Sequence, residues 1–167
     1  MRIHFKMNEG LLSSVREDLL RPHEHAAERI GFLSCGFGTT DEGLLIVACK
    51  YHPVEDGHYE RDPLVGARFG SAAMREALQI ALTSRRGIFH IHCHDHVGEP
   101  RPSRVDSVEW VRFIPDFWHV RPELPHGALL LSEDRMRGWC WFPKENGPLK
   151  ISQFSVVGAR LRFWEAS

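Results

Sequence analysis

No run of apolar residues in this 167-residue chain is long enough to span a bilayer. The opening MRIHFKMNEG carries charges where an export signal needs an apolar core, so no export signal is read and a cytoplasmic protein is expected. The four cysteines, Cys35, Cys49, Cys93 and Cys140, form no CxxC pair and no secreted-domain framework. They read as reduced, partly buried thiols. A formal net charge of -1 gives no steering toward nucleic acid or a membrane surface. GxGxxG and GxxxxGK[ST] are both missing, which removes support for nucleotide binding through those loops. Internal repeats, low-complexity tracts and linkers are missing too.

The remaining composition is that of one globular domain over residues 1–167, with 43% hydrophobic and 26% charged residues. Such a length buries a core without staples. MRIHFKM alternates as a strand does, and EGLLSSVREDLL places Leu11, Leu12, Val15 and Leu19 on one helical face ahead of Pro22. IGFLSCGF and GLLIVACKYHPV read as paired strands around GTTDEG. HPVEDGHYERDPLVG reads as a loop. SAAMREALQIALTSRRG predicts a helix with Met74, Ala77, Leu78, Ala81 and Leu82 inward and Gly87 as its stop. IFHIHCH is a strand, SRVDSVEWVRFIPDFW starts a third helix, and GALLLSE, MRGWCWFP and ISQFSVVGARLRFW predict three final strands. The fold class is therefore α+β, with about three helices flanking a mostly antiparallel sheet.

Histidine is the anomaly: there are 11, and they cluster in FHIHCHDHVGEPRPSRVD, Phe89 to Asp106. Alternation puts His90, His92, His94 and His96 on one side of a strand, with Cys93 on the other. Two neutral imidazoles so spaced reach one zinc at about 2.0–2.1 Å, and an open zinc site needs a third protein ligand. Asp106, returned by the turn VGEPRP to a helix start, is the nearest candidate. Ser103-x-x-Asp106 ahead of Val105, Val108 and Val111 is also a capping box, and a cap can fix the carboxylate that a metal uses. Four imidazoles on one face have no use in a core, because each buried ring needs partners. A hydrolytic centre also needs a general base. Glu28, in HAAERIGFLSCGF just before an apolar strand, is the candidate, although taken alone it reads as solvated surface.

Glu-x-x-Gly ahead of a strand, then a helix, then His-x-His and Ser-x-x-Asp, resembles the JAMM signature of MPN/JAB-domain metallopeptidases. ERIGFLSCGF is similar to the family's E-x-x-G-L-L-x-G, and HCHDHVGEPRPSRVD to its H-x-H-P-x-G-x-P-x-P-S-x-x-D, the form of prokaryotic stand-alone members. The resemblance covers nearly the whole chain and implies a single JAB/MPN-like domain with a curved sheet. It implies one Zn2+ held by two histidines and Asp106, with a metal-activated water as nucleophile. Glu28 would be general base and acid, and Ser103 would stabilise the oxyanion. Pairing His92 with His94 leaves DHVGEPRP before Ser103, one residue longer than the family's gap, and Asp95 stands where the family has Pro. Pairing His90 with His92 is the alternative register. In the preferred register His90 lies deeper in the strand, where it could hydrogen-bond Asp106 or a ligand histidine. His96 reads as exposed.

The implied reaction is cleavage of an isopeptide or peptide bond after the tail of a ubiquitin-like protein, with E1-like or E2-like operon partners and no nucleic acid or membrane partner. Two other functions stay open: a non-catalytic MPN scaffold, and a hydrolase of sulfur-carrier adducts or small amides. A zinc deaminase is argued against by the missing PCxxC segment. YHPVEDGHYERDP is either a partner contact or a solvated loop, and WCWFP reads as packing against the sheet.

Overall fold

A computed structural model describes residues 1–165. The elements run β1 (Arg2–Asn8), α1 (Glu9–Leu19), β2 (Ile30–Thr40), β3 (Gly43–Pro53), α2 (Ser71–Ser84), β4 (Gly87–Cys93), α3 (Arg104–Phe113), β5 (His126–Leu131), β6 (Met136–Trp141), β7 (Leu149–Lys150), β8 (Gln153–Val157) and β9 (Arg162–Glu165). Short 3-10 turns lie at Asp56–His58 and Ile114–His119. The class is α+β, as the pattern predicts. Among the described residues no helix is long and apolar enough to cross a membrane.

The strands join in one curled sheet of order β7-β6-β5-β4-β2-β3-β1-β8-β9. Most neighbours are antiparallel, but β1 runs parallel to both β3 and β8, and β4 runs parallel to β5. The β4–α3–β5 connection is a crossover. It brings the start of α3 to the carboxyl end of β4, where open sheets collect ligands.

Alternation divides the core between the two sheet faces. Phe89 and Ile91 of β4 face α1, packing with Phe5, Leu12, Val15 and Leu19. Ile88 faces the other way, toward α2 and α3, with Phe32, Ala77, Trp110 and Phe117. Asn8 caps α1 by accepting the Leu11 N–H at 2.7 Å, a contact worth about 1 kcal/mol. Ala73, Ala77 and Ala81 form the buried stripe of α2. Their small side chains let that helix lie close to the sheet.

Three expectations need correcting. Gly87 does not stop α2; Arg85 does, with a left-handed φ of 54°. Gly87 starts β4, where a Cβ would meet the Pro125 carbonyl oxygen at 2.3 Å. Leu82 points outward rather than into the core. Helix α3 packs through Trp110 and Phe113, while Val105, Val108 and Val111 are exposed. The last predicted strand is a hairpin, β8 and β9, preceded by the short β7.

Candidate metal centre

Strand alternation builds the centre. The rings of His90, His92 and His94 line up along β4, with successive centroids 5.3 and 5.1 Å apart. His94 lies one residue past the strand, and its backbone N–H still donates to the Leu131 carbonyl at 2.9 Å, so the extended path continues. Strand β2 runs antiparallel to β4 with Ile30 opposite His92. Carried two residues outward, that register brings Glu28 beside His94, where Glu28 Oε1 and His94 Nε2 are 3.9 Å apart. Glu28, His92 and His94 each offer a ligand atom within 4.8 Å of the others. This group can hold a metal ion.

Asp106 approaches the same two rings from the start of α3. Its Oδ1 is 3.3 Å from His92 Nε2 and its Oδ2 is 3.7 Å from His94 Nε2. The capping box fixes that carboxylate: the Ser103 N–H donates to Asp106 Oδ2 at 2.7 Å, and the Asp106 N–H donates to Ser103 Oγ at 3.1 Å. The cap and the approach to the rings therefore coexist in one residue. Burial pushes the Asp106 carboxyl up, but the adjoining His92 and the Ser103 contacts outweigh it and hold it well below the usual carboxylate range. Burial, followed by the neighbouring His92, lowers the pKa of His94, while Glu28 and Asp106 partly oppose the shift. That favours the neutral imidazole, the form that binds metal.

The donor set fits a metal. Both ring nitrogens of His92 are buried without a hydrogen-bond partner among the described residues, and the 3.3 Å approach to Asp106 lacks hydrogen-bond alignment. Leaving a buried polar group unsatisfied costs about 1–3 kcal/mol, which a cation between these groups would offset. Two imidazoles with one or two carboxylates form a nitrogen–oxygen donor set suited to a divalent transition-metal ion.

The other histidines stand apart. His90 is buried but bonds neither Asp106 nor a neighbouring histidine, correcting the role expected for it; its Nδ1 accepts the indole N–H of Trp110 at 3.2 Å. His96 is exposed, with its ring 6.1 Å from that of His94 and its Nδ1 3.1 Å from the Val97 carbonyl oxygen. Cys93 faces the α1 side, as alternation requires.

Glu28, His92, His94, Ser103 and Asp106 all line one cleft of about 630 Å³. Its far wall is the loop after β3, which the sequence left between two readings. The loop is tied back to the rest of the chain. The Ala27 and Glu28 N–H groups both donate to the Gly66 carbonyl, at 2.8 and 3.0 Å, and Tyr59 bridges Phe69. Sequence reasoning missed Phe69, Trp110 and Phe113 in the cleft. Trp110, four residues after Asp106, shares its helical face, and that spacing was a usable signal. The WCWFP segment does not pack against the sheet but enters it as the end of β6, and Trp139 packs on Trp110 of α3 at a centroid distance of 5.2 Å.

Compared with known proteins, the chain matches no protein-family model and no curated relative.

Proposed function

We propose that this chain is a zinc-dependent amide hydrolase of the JAMM type, cleaving after the tail of a ubiquitin-like protein. The observation that carries this reading is the convergence of Glu28, His92, His94 and Asp106 from three separate elements on one cleft. The JAB/MPN-like architecture, and E1-like or E2-like partners in a cytoplasmic setting, belong to the same proposal and rest on the motif resemblance.

His92, His94 and Asp106 would hold the zinc, one per chain. Zinc, when bound, supplies a Lewis acid for the amide carbonyl and makes water a nucleophile near neutral pH. The two carboxylates divide the remaining work by their surroundings. Asp106 is pinned by Ser103 and held anionic, which suits a ligand. Among the described residues the Glu28 carboxylate has no hydrogen-bond partner, and it borders the cleft, so it is placed to take a proton from water and return it to the leaving amine. Ser103 Oγ already accepts from the Asp106 N–H, which leaves its hydroxyl proton to donate toward a developing oxyanion.

A small amide is the second reading. The aromatic residues Phe69, Trp110 and Phe113 in the cleft favour it, because a Gly-Gly tail has no side chain to fill them.

The test is metal content with turnover. Wild type should bind about one zinc and cleave a ubiquitin-like Gly-Gly fusion or a small amide. Glu28→Ala should keep zinc and lose turnover, Asp106→Ala should lose both, and His90→Ala should keep zinc. Loss of zinc in Glu28→Ala but not in Asp106→Ala would exchange the two carboxylates' roles. A wild type that takes up no zinc even in excess would end the hydrolase reading.

A further inference from the structure

We infer that His90 and the aromatic rings around it form a side-chain subsite beside the metal group, shaped for a flat, neutral group that carries a hydrogen-bond acceptor. The substrate part of this inference rests on the hydrolase reading; the binding part does not.

The indole N–H of Trp110 can only donate. Its 3.2 Å contact with His90 Nδ1 therefore makes that nitrogen an acceptor and puts the ring proton on Nε2. His90 lines the cleft, and among the described residues its Nε2 has no hydrogen-bond partner. A donor of fixed direction thus stands in the cleft floor. Its surroundings are aromatic: Phe113, Phe32 and Phe69 have ring centroids 5.4, 5.9 and 6.1 Å from that of His90. Flat apolar groups pack well against such rings. An unpartnered donor among them is met best by an acceptor on the ligand.

Charge argues for a neutral ligand. Glu60, Asp62, Glu109 and Asp116 line the cleft besides Glu28 and Asp106, against Arg68 and Arg112. An anion would meet that acidic surround. The His90 and His92 rings are 5.3 Å apart, and an extended chain advances about 3.3–3.6 Å per residue. A residue flanking the scissile amide would therefore reach this pocket.

The probe is benzamide, with benzoate as its anionic counterpart, titrated into the full chain with zinc and after chelation. Histidine 15N correlation spectra follow both the tautomer and the binding. The expected result is an Nε2–H tautomer at His90 and benzamide binding that shifts the His90 signals with or without zinc. Benzoate should bind at least tenfold more weakly, and His90→Phe, which keeps a ring but loses the donor, should weaken benzamide at least tenfold at unchanged zinc content. Trp110→Phe leaves His90 in place and should mix the tautomers and weaken benzamide, which keeps the test decisive if His90→Phe does not fold. An Nδ1–H tautomer in wild type, or equal benzamide affinity in the folded variants, overturns the subsite. Benzamide binding without turnover of any amide would leave the subsite standing and count against the proposed hydrolase.

Discussion

Gly66 lies directly against Glu28: its carbonyl accepts the Glu28 N–H at 3.0 Å, and a Cβ built on it would stand 2.7 Å from Glu28 Oε2. The backbone of the cleft wall thus holds the residue while its missing side chain leaves room for the carboxylate. In Gly66→Ala the flexible carboxylate should move rather than the fold. Stability should change by no more than about 0.5 kcal/mol in urea unfolding, while turnover falls about tenfold or more from the misplaced group. Unaltered turnover in this variant would show that the carboxylate position is irrelevant to the reaction.

Ser103 has two separable duties. Ser103→Asn keeps a capping oxygen and should leave thermal stability nearly intact, whereas Ser103→Ala should lose about 1 kcal/mol. If the hydroxyl proton serves the reaction, both variants should be slow. A fast Ser103→Asn enzyme would reduce the residue to a helix cap.

His126 makes a prediction in pH. Its ring is buried, accepts the Ile88 N–H at Nδ1 and stacks on Phe117. Burial lowers its pKa from 6.5 to about 4. Between those values the unfolded chain binds the proton and the folded chain does not. The stabilisation is complete above pH 6.5 and is lost as pH falls toward 4, by about 3 kcal/mol in all. Denaturant titrations at pH 7.5 and pH 4.5 should show a smaller acid loss in His126→Asn than in wild type. Equal losses would place His126 outside the acid response.

Arg29, next to Glu28 in the chain, has a side chain only 1% exposed, paired with Asp56 and 3.9 Å from Asp18. Its guanidinium lies 5.5 Å from the Tyr59 ring centroid. Arg29→Ala should cost on the order of 3 kcal/mol, since it empties the space of one of the largest fully buried side chains. Arg29→Met, which refills the volume, should cost clearly less. Calorimetric melting of the two variants checks the order.

Local chemistry was readable in the sequence where it repeats. Alternation placed His90, His92 and His94 on one face and Cys93 on the other, and Ser103-x-x-Asp106 announced its cap. Features set by distant pairing were not readable. Nothing near Gly66 reveals that its carbonyl receives Glu28, because the contact joins two irregular segments. In α3, Trp110 and Phe113 take the sheet face while Val105, Val108 and Val111 stay exposed, a division that the packing of the folded chain sets. Arg85 in a left-handed turn leaves no mark in composition, so the glycine nearby drew the helix end instead. The parallel union of β4 and β5 follows from the α3 crossover, and only the folded chain shows it.

Strand β1 lies between β3 and β8, with His4 opposite both Leu45 and Gln153. It is made early, yet one of its edges has no neighbour until β8 has been synthesised. Strands β2, β3 and β4, which carry Glu28 and the histidines toward each other, pair among themselves much sooner. On the ribosome, the scaffold of the centre can form while β1 still waits. A chain cut short before β8 would keep that waiting edge open, a template on which a second copy can add its own strand.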